Sequence, residues 1–590
     1  MFSHLRAIVL LFAAFLCLAL AVAVPDTQAQ VVDSEQSIAE PLPEWQPPLS
    51  ATHENQLIVH TAVGETAVFP LTDATNRPTT AITAAVSGEA NLRPVAPAAP
   101  DDFGNLSLVN DTDIWPWQVL VRLTQTFPSG ATTSCSGTLI DAKHVLTAAH
   151  CIYTFTASRC TGGASSCWAT GVEAAPGYDN GMQPFGTANS ESLFTWTAWT
   201  SNADYDYDMA LIRLDRPVGA LTGWFGYGYN NTDTFFTNSS NVFRSTGYPG
   251  SPFSNTQLQY TWSGFFDTVQ PYILYHNDLS YGGQSGSGTY LNSALVVYGV
   301  LSHGHDSVPD TGHTRLTSSK YSDILYQIND VGTPIGPDLI PLNVNLSPGT
   351  IVAGQQLISM NYLLHNYALA DWNSCVNVRV YLSINDTIST SDELLQTHQF
   401  CGFIGSKDSW RVTLSMPPQI PYGRTGFYWI GVILEDGSVT NPANATSGWD
   451  AAVVTVRATD SYEPDNSSGQ AATIFSNTPQ THSILPATDV DWLRFTLNSP
   501  AQVTVSTNGP TGDTRLWLYN NQLQQLAYDD DGGVGTFSEI ATACDQLLPA
   551  GTYYLKVDEY NNDDEIAAYT ILLTARANCT STVYLPFVRR

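Results

Sequence analysis

Positive charge is scarce in this sequence. Its 590 residues hold 22 Lys and Arg against 53 Asp and Glu, a net charge of −31. A nucleic-acid surface needs the opposite imbalance, because affinity there rests on neutralising phosphates. DNA and RNA are therefore excluded as partners. No long apolar run occurs after residue 24, so no later stretch is able to span a bilayer. There is no Cys-x-x-Cys pair, which argues against a zinc finger, and no His-Glu-x-x-His, which argues against a zincin metalloprotease. Charged residues make up only 13% of the chain. Thr, Ser, Asn, Gly and Tyr are abundant instead, which reads as β-rich.

The first 29 residues have an early arginine, Arg6, then an apolar run from Ala7 to Val24, then small residues. This is the layout of a secretory signal cut after Ala29 or Ala23; an uncleaved anchor is the alternative. A secreted, extracellular protein is expected. Cys17 lies in that segment. The other eight cysteines fall as Cys135/Cys151, Cys160/Cys167, Cys375/Cys401 and Cys544/Cys579. Local pairs in an exported chain suggest four disulfides, with connectivity left open.

A chain of this length divides into several domains. Residues 30–104 are rich in Pro, Ala, Thr and acids and read as a prosegment, weakly structured or small. From Ile114 onward short alternating apolar runs recur between turn residues, an all-β pattern that reaches about Val331. Two further β regions, 338–458 and 460–576, are each the size of one β-sandwich. The tail 577–590, ending in "VYLPFVRR", is a last strand or a sorting segment.

Three residues in the first β region fit one mechanism. His150 lies in "LTAAHC", Asp208 in "DYDMALIRL" and Ser285 in "GGQSGSG". A serine hydroxyl needs an imidazole to take its proton. The imidazole needs a carboxylate to hold its tautomer, and the tetrahedral intermediate needs N–H donors aimed at its oxyanion. Gly283 and Ser285 are the candidates for those donors, with Gly286 and Gly288 keeping space beside the nucleophile. Asp204 and Asp206 compete with Asp208, but only Asp208 directly precedes the apolar run. The α/β-hydrolase elbow fits less well, since Ser287 stands where its last glycine belongs and the order here is His, Asp, Ser.

With "WPWQV", "CSGTLI", "GVLSHG" and "HTRLTS", these motifs resemble the chymotrypsin-like serine endopeptidases, and most closely the bacterial V8-like, glutamyl branch. The likeness covers 105–332. It implies two six-stranded β-barrels with the site between them, His150 as general base, Asp208 as its orienting acid and Ser285 as nucleophile. It also implies a bridge between Cys135 and Cys151, and contacts from Ser302, His303 and Gly304 to an extended peptide substrate. No cofactor is required for such catalysis. Gln284 departs from pancreatic-type members, which carry an acid there to pair with a new N-terminus.

The P1 preference stays open. Leu301 holds the position where glutamyl members carry a histidine. His303, His305 and His313 are nearby and are either glutamate-reading or solvent-exposed loop residues. Near Leu279 and Ser280 no trypsin-like acid stands out, although Asp278 is adjacent, so cleavage after Lys or Arg is not supported.

Residues 338–458 resemble the CARDB immunoglobulin-like adhesion module, and 460–576 the bacterial pre-peptidase C-terminal domain. These imply a cell-surface or matrix ligand. In the last domain Glu463, Asp465, Asp489, Asp491, Asp529, Asp530 and Asp531 offer hard oxygen ligands of the kind calcium takes; plain surface acids are the alternative. The competing whole-chain reading is a non-catalytic surface-adhesion protein that keeps a protease fold.

Overall fold

The computed structural model describes residues 38–39, 56–61, 64–69, 106–250, 253, 255–304, 310–435 and 445–577. The expected signal segment 1–29, His305, Cys579 and most of the tail lie outside them. The fold is nearly all-β, with 9% helix. It divides into two compact units, residues 1–334 and 335–590.

In the first unit, six antiparallel strands form a closed barrel. Their order is 171–176, 120–126, 132–141, 144–147, 210–214 and 188–196, and the pairing of 171–176 with 188–196 closes the ring. A second sheet runs 268–269, 273–276, 311–315, 296–303, 288–291, 243–247, 260–264 and 106–108. Among the described residues its end strands do not pair, so this second barrel of the expected pair is a half-barrel. Strands buried along most of their length build both sheets. Leu120, Val121 and Leu123 are buried in one, and Leu274, Tyr290 and Val300 in the other.

Part of the expected prosegment is ordered. Strand Leu57–Thr61 pairs with Ser192–Trp196, and Thr66–Phe69 pairs back on it. Leu57 and Val59 are buried, and His60 stacks on Trp168 at 5.0 Å. The residues Ile38–Ala39 lie parallel to Thr133–Ser134.

In the second unit, 339–457 builds a three-stranded sheet against a five-stranded one. Tyr362, Leu364, Trp372, Val378, Val380 and Val432 are buried between them. Residues 472–576 form a five-stranded and a four-stranded sheet over a core that includes Leu493, Val505, Leu516, Leu555 and Ile571. In both, alternate residues of the strands face the core between the sheets. Disulfides join Cys135–Cys151, Cys160–Cys167 and Cys375–Cys401. Cys544 is also disulfide-bonded.

Candidate active site

His150 sits in a single 3-10 turn, Ala149–Cys151, at the end of strand His144–Thr147, and the Cys135–Cys151 bridge ties that turn to the neighbouring strand. Asp208 ends a second 3-10 turn, Tyr205–Tyr207, just before strand Ala210–Leu214. The two turns meet. The His150 Nδ1 lies 2.8 Å from Asp208 Oδ2, and the His150 backbone N–H donates to Oδ1 at 2.8 Å. Ser302 Oγ donates to Oδ2 at 2.6 Å. Asp208 is fully buried, and burial alone would raise its pKa. The facing imidazole and these three hydrogen bonds outweigh burial and hold its carboxyl below the usual carboxylate range. Asp204 does not reach His150; it caps the Tyr205–Tyr207 turn by accepting the N–H of Asp206.

The Ser285 loop presses against the barrel. Ser136 N–H donates to the Ser285 carbonyl at 2.7 Å, and Ser136 Oγ donates to the Gly283 carbonyl at 2.8 Å. Gly283 has φ +92° and Gly286 φ +82°, both in the left-handed region. A Cβ on Gly283 would collide with the Tyr248 carbonyl, and one on Gly286 with Thr147 Oγ1 and the Ser136 carbonyl. Gly286 therefore allows contact with the barrel wall rather than open space beside Ser285. Among the described residues, neither the Gly283 nor the Ser285 N–H has a protein acceptor. Two donors on one tight loop can serve an oxyanion. Gln284 is buried and committed, its Oε1 accepting the Tyr281 N–H at 2.9 Å. His150 Nε2 has no hydrogen-bond partner, which leaves it available to the serine hydroxyl when substrate closes the site.

The histidines beside the loop are not exposed. His303 is buried edge-on against Tyr205 and Tyr275, with Nδ1 3.1 Å from Ser302 Oγ. Burial pushes its pKa down to about 4. His313 is fully buried, its Nε2 3.1 Å from His276 Nε2 and its Nδ1 2.5 Å from Thr289 Oγ1. The Asp278 N–H donates to His276 Nδ1, so His276 carries its proton on Nε2 and donates to His313, which in turn donates to Thr289. This corrects the exposed-loop alternative for His303 and His313. His276 carries no motif and was missed. Asp278 accepts the Trp262 Nε1–H at 2.7 Å while its side chain stays 43% exposed. Ser302 was expected to meet substrate through its backbone; its hydroxyl also orients Asp208.

The acids of the last domain separate into groups. Asp460, His482 and Asp491 are clustered, as are Glu463, Asp489 and Asp491; Asp513, Asp530 and Asp531 make another set. Asp529 instead caps a turn, accepting the N–H groups of Gly532 and Glu539. The seven acids read from the sequence are thus not one site. Beside the first two sets, Asp465 and Asp491 are fully buried, with His482 Nδ1 3.6 Å from Asp465 Oδ2; among the described residues both oxygens of Asp465 and one of Asp491 lack a hydrogen-bond partner. Burial and neighbouring acids push Glu463 and Asp465 up to about 8. Unpaired buried carboxylates are costly, and a hard cation would relieve them.

The family model "Trypsin" matches residues 110–260, and "Bacterial pre-peptidase C-terminal domain" matches 489–559. The chain carries a trypsin-like serine protease domain. The "Glutamyl endopeptidase" of Bacillus licheniformis is 32% identical over 187 residues, 32% of this chain and 52% of that protein. The chain thus spans about half of that relative's length. The "Extracellular metalloprotease" of Bacillus subtilis is 28% identical over 248 residues, 41% of this chain and 73% of that protein. Among solved structures, a Glu endopeptidase in complex with MPD is 23% identical with a TM-score of 0.33, covering 38% of this chain and 97% of that one. The trypsin family match and the glutamyl endopeptidase relative support a serine endopeptidase hydrolase. The match to trypsin stops before Ser285, whose place rests on the loop geometry. The second relative's name raises a metal for the protease domain. The donors near its site are Cys135, His150 and Cys151, and the two sulfurs are consumed in their disulfide, so that set does not fit a metal.

Proposed function

We propose that this protein is a secreted serine endopeptidase in which His150 takes the Ser285 proton, Asp208 orients His150, and the Gly283 and Ser285 N–H groups receive the oxyanion. The observation that carries it is the buried Asp208 carboxylate gripping the His150 ring and backbone beside a loop with two open N–H donors. Ser285 Oγ attacks the scissile carbonyl as His150 Nε2 accepts its proton. The same imidazolium then protonates the leaving amine, and water hydrolyses the acyl-enzyme by the reverse path.

Residues 1–29 are read as the signal segment and 30–104 as a prosegment. Residues 338–458 are read as a CARDB-like adhesion module, supported by the two-sheet sandwich there. Calcium is assigned to the set Glu463, Asp489 and Asp491, with the buried Asp465 beside it, as the residues that would hold it. It would supply charge neutralisation and rigidity, and no catalytic step passes through it.

A phosphonate serine probe should label the matured protein once per chain, and Ser285→Ala should abolish labelling. Digestion of a proteome-derived peptide library then reads the P1 preference and the enzyme's own N-terminus. The glutamyl relative makes an acidic P1 the preference to look for, with the neutral His303 and His313 nearby. The adhesion-only reading predicts neither labelling nor cleavage, and either result would favour it.

A further inference from the structure

Lys320 is a cation with no solvent and no motif. It lies on the helix Ser318–Tyr326 that follows the second sheet, and it is fully buried. Its Nζ donates to the backbone carbonyl of Asp206, and to that of Arg315 at 3.0 Å. The rings of Tyr207 and Tyr272 face it at 5.0 and 5.4 Å. Burying an ammonium is costly, and a methionine would fill the same space without that cost. The retained charge therefore calls for a structural reason.

The groups it touches supply one. Asp206 and Tyr207 belong to the turn that delivers Asp208 to His150. The same helix makes a second tie to this region, since Trp196 Nε1 donates to Asp323 at 3.0 Å and Trp196 packs 6.1 Å from Tyr207. A third tie comes from Thr314 Oγ1, which donates to the Tyr205 carbonyl at 3.1 Å. We propose that Lys320 is a positioning residue for catalysis: its ammonium fixes the backbone of the Tyr205–Tyr207 turn, and its charge offsets the acids grouped there, so that the Asp208 carboxylate faces His150. The proposal rests on the His150–Asp208–Ser285 reading.

The charged groups around Lys320 are Asp204, Asp206 and Asp208 from the turn and Arg315 from strand Thr311–Arg315. Burial lowers the lysine to about 7, against the pull of the three acids upward, while Arg315 adds to the lowering. Asp206 is raised by burial and by Asp204, with Lys320 opposing. The bond to the Asp206 carbonyl is therefore charge-assisted at and below neutral pH and weakens above it.

The test uses the full matured chain with Lys320→Met and Lys320→Gln, measured by peptide hydrolysis across pH and by phosphonate labelling. Methionine should lower kcat about 10- to 100-fold with KM within about twofold, as expected for loss of a charged hydrogen bond that does not touch substrate. It should also move the acid limb of kcat/KM up by about 0.3–1 pH unit, because a positive charge that opposed the imidazolium is gone. Glutamine keeps a donor without charge, so it should recover much of kcat and keep the displaced limb. Wild-type kcat and an unmoved limb in Lys320→Met would overturn the assignment. If methionine prevents folding, the limb in Lys320→Gln decides. Wild-type protein that takes no probe defeats the endopeptidase reading itself, whereas full labelling of wild type with unaltered variants defeats only the role of Lys320.

Discussion

Removing divalent cations should weaken the last domain as the pH rises. Asp465 is buried without a hydrogen-bond partner for either oxygen, and its pKa is raised from 3.8 to about 8. A carboxyl raised on folding stabilises the native state while protonated. That stability is present below the unfolded value and is lost as pH climbs through the folded one. Counted alone, four units at 1.36 kcal/mol give about 5 kcal/mol. Proton sharing with Asp489 and Asp491, and entry of water, bring the expected loss nearer to about 2–3 kcal/mol between pH 5 and pH 8. For a sandwich of this size that corresponds to roughly 10 °C in midpoint. A bound cation at a hundredfold excess over its Kd returns about 2.7 kcal/mol. Scanning calorimetry of the whole chain in chelator at pH 5 and pH 8, then with calcium at pH 8, reads both effects on one transition. Asp465→Asn should flatten the pH dependence and lose the calcium response. A chelated transition that does not move with pH, or a calcium shift that survives Asp465→Asn, would refute the reasoning.

Other outcomes follow from single contacts. Asp208→Asn should cut kcat about 10³- to 10⁴-fold with little change in KM, since the imidazole loses its orienting carboxylate; steady-state kinetics check it. Ser302→Ala removes one donor to a buried carboxylate and should cost about 1.5–3 kcal/mol in kcat/KM, far less than Asp208→Asn. Gly286→Ala combines φ +82° with a collision against the Ser136 backbone, so denaturant melts should show a loss of about 3 kcal/mol or more. Leu57→Asp or Val59→Asp should lower folding yield, because each puts an unpaired charge under the hairpin that extends the barrel edge; equal refolding of a chain lacking residues 30–104 would show that the hairpin is dispensable.

How far the chain could be read depended on the range of each interaction. Alternation in "DMALIRL" and "SALVVYGVLSHG" carries the strands because side-chain direction is a local property with period two. The proposed order His150, Asp208, Ser285 comes from the sequence because acyl-transfer chemistry restricts the residue types and because Asp208, unlike Asp206, adjoins the apolar run. The sequence suggested local cysteine pairs with connectivity open, and three such pairs are bridged in the structure. Other features depend on what lies across space. Whether the second sheet closes, and that residues 57–69 extend the first, are matters of strand pairing between distant segments. That Asp529 caps a turn while Asp465 lies in the core beside His482 follows from burial, and composition assigns the two the same character. His276 and Lys320 carry no motif. Their importance arises only when the strand 311–315 and the helix after it fold back against the turn that holds Asp208. The sequence by itself determined the residue types for the chemistry and the strands that present them. Tertiary structure alone decided which charges are buried, since desolvation and hydrogen-bond partners are properties of the packed interior.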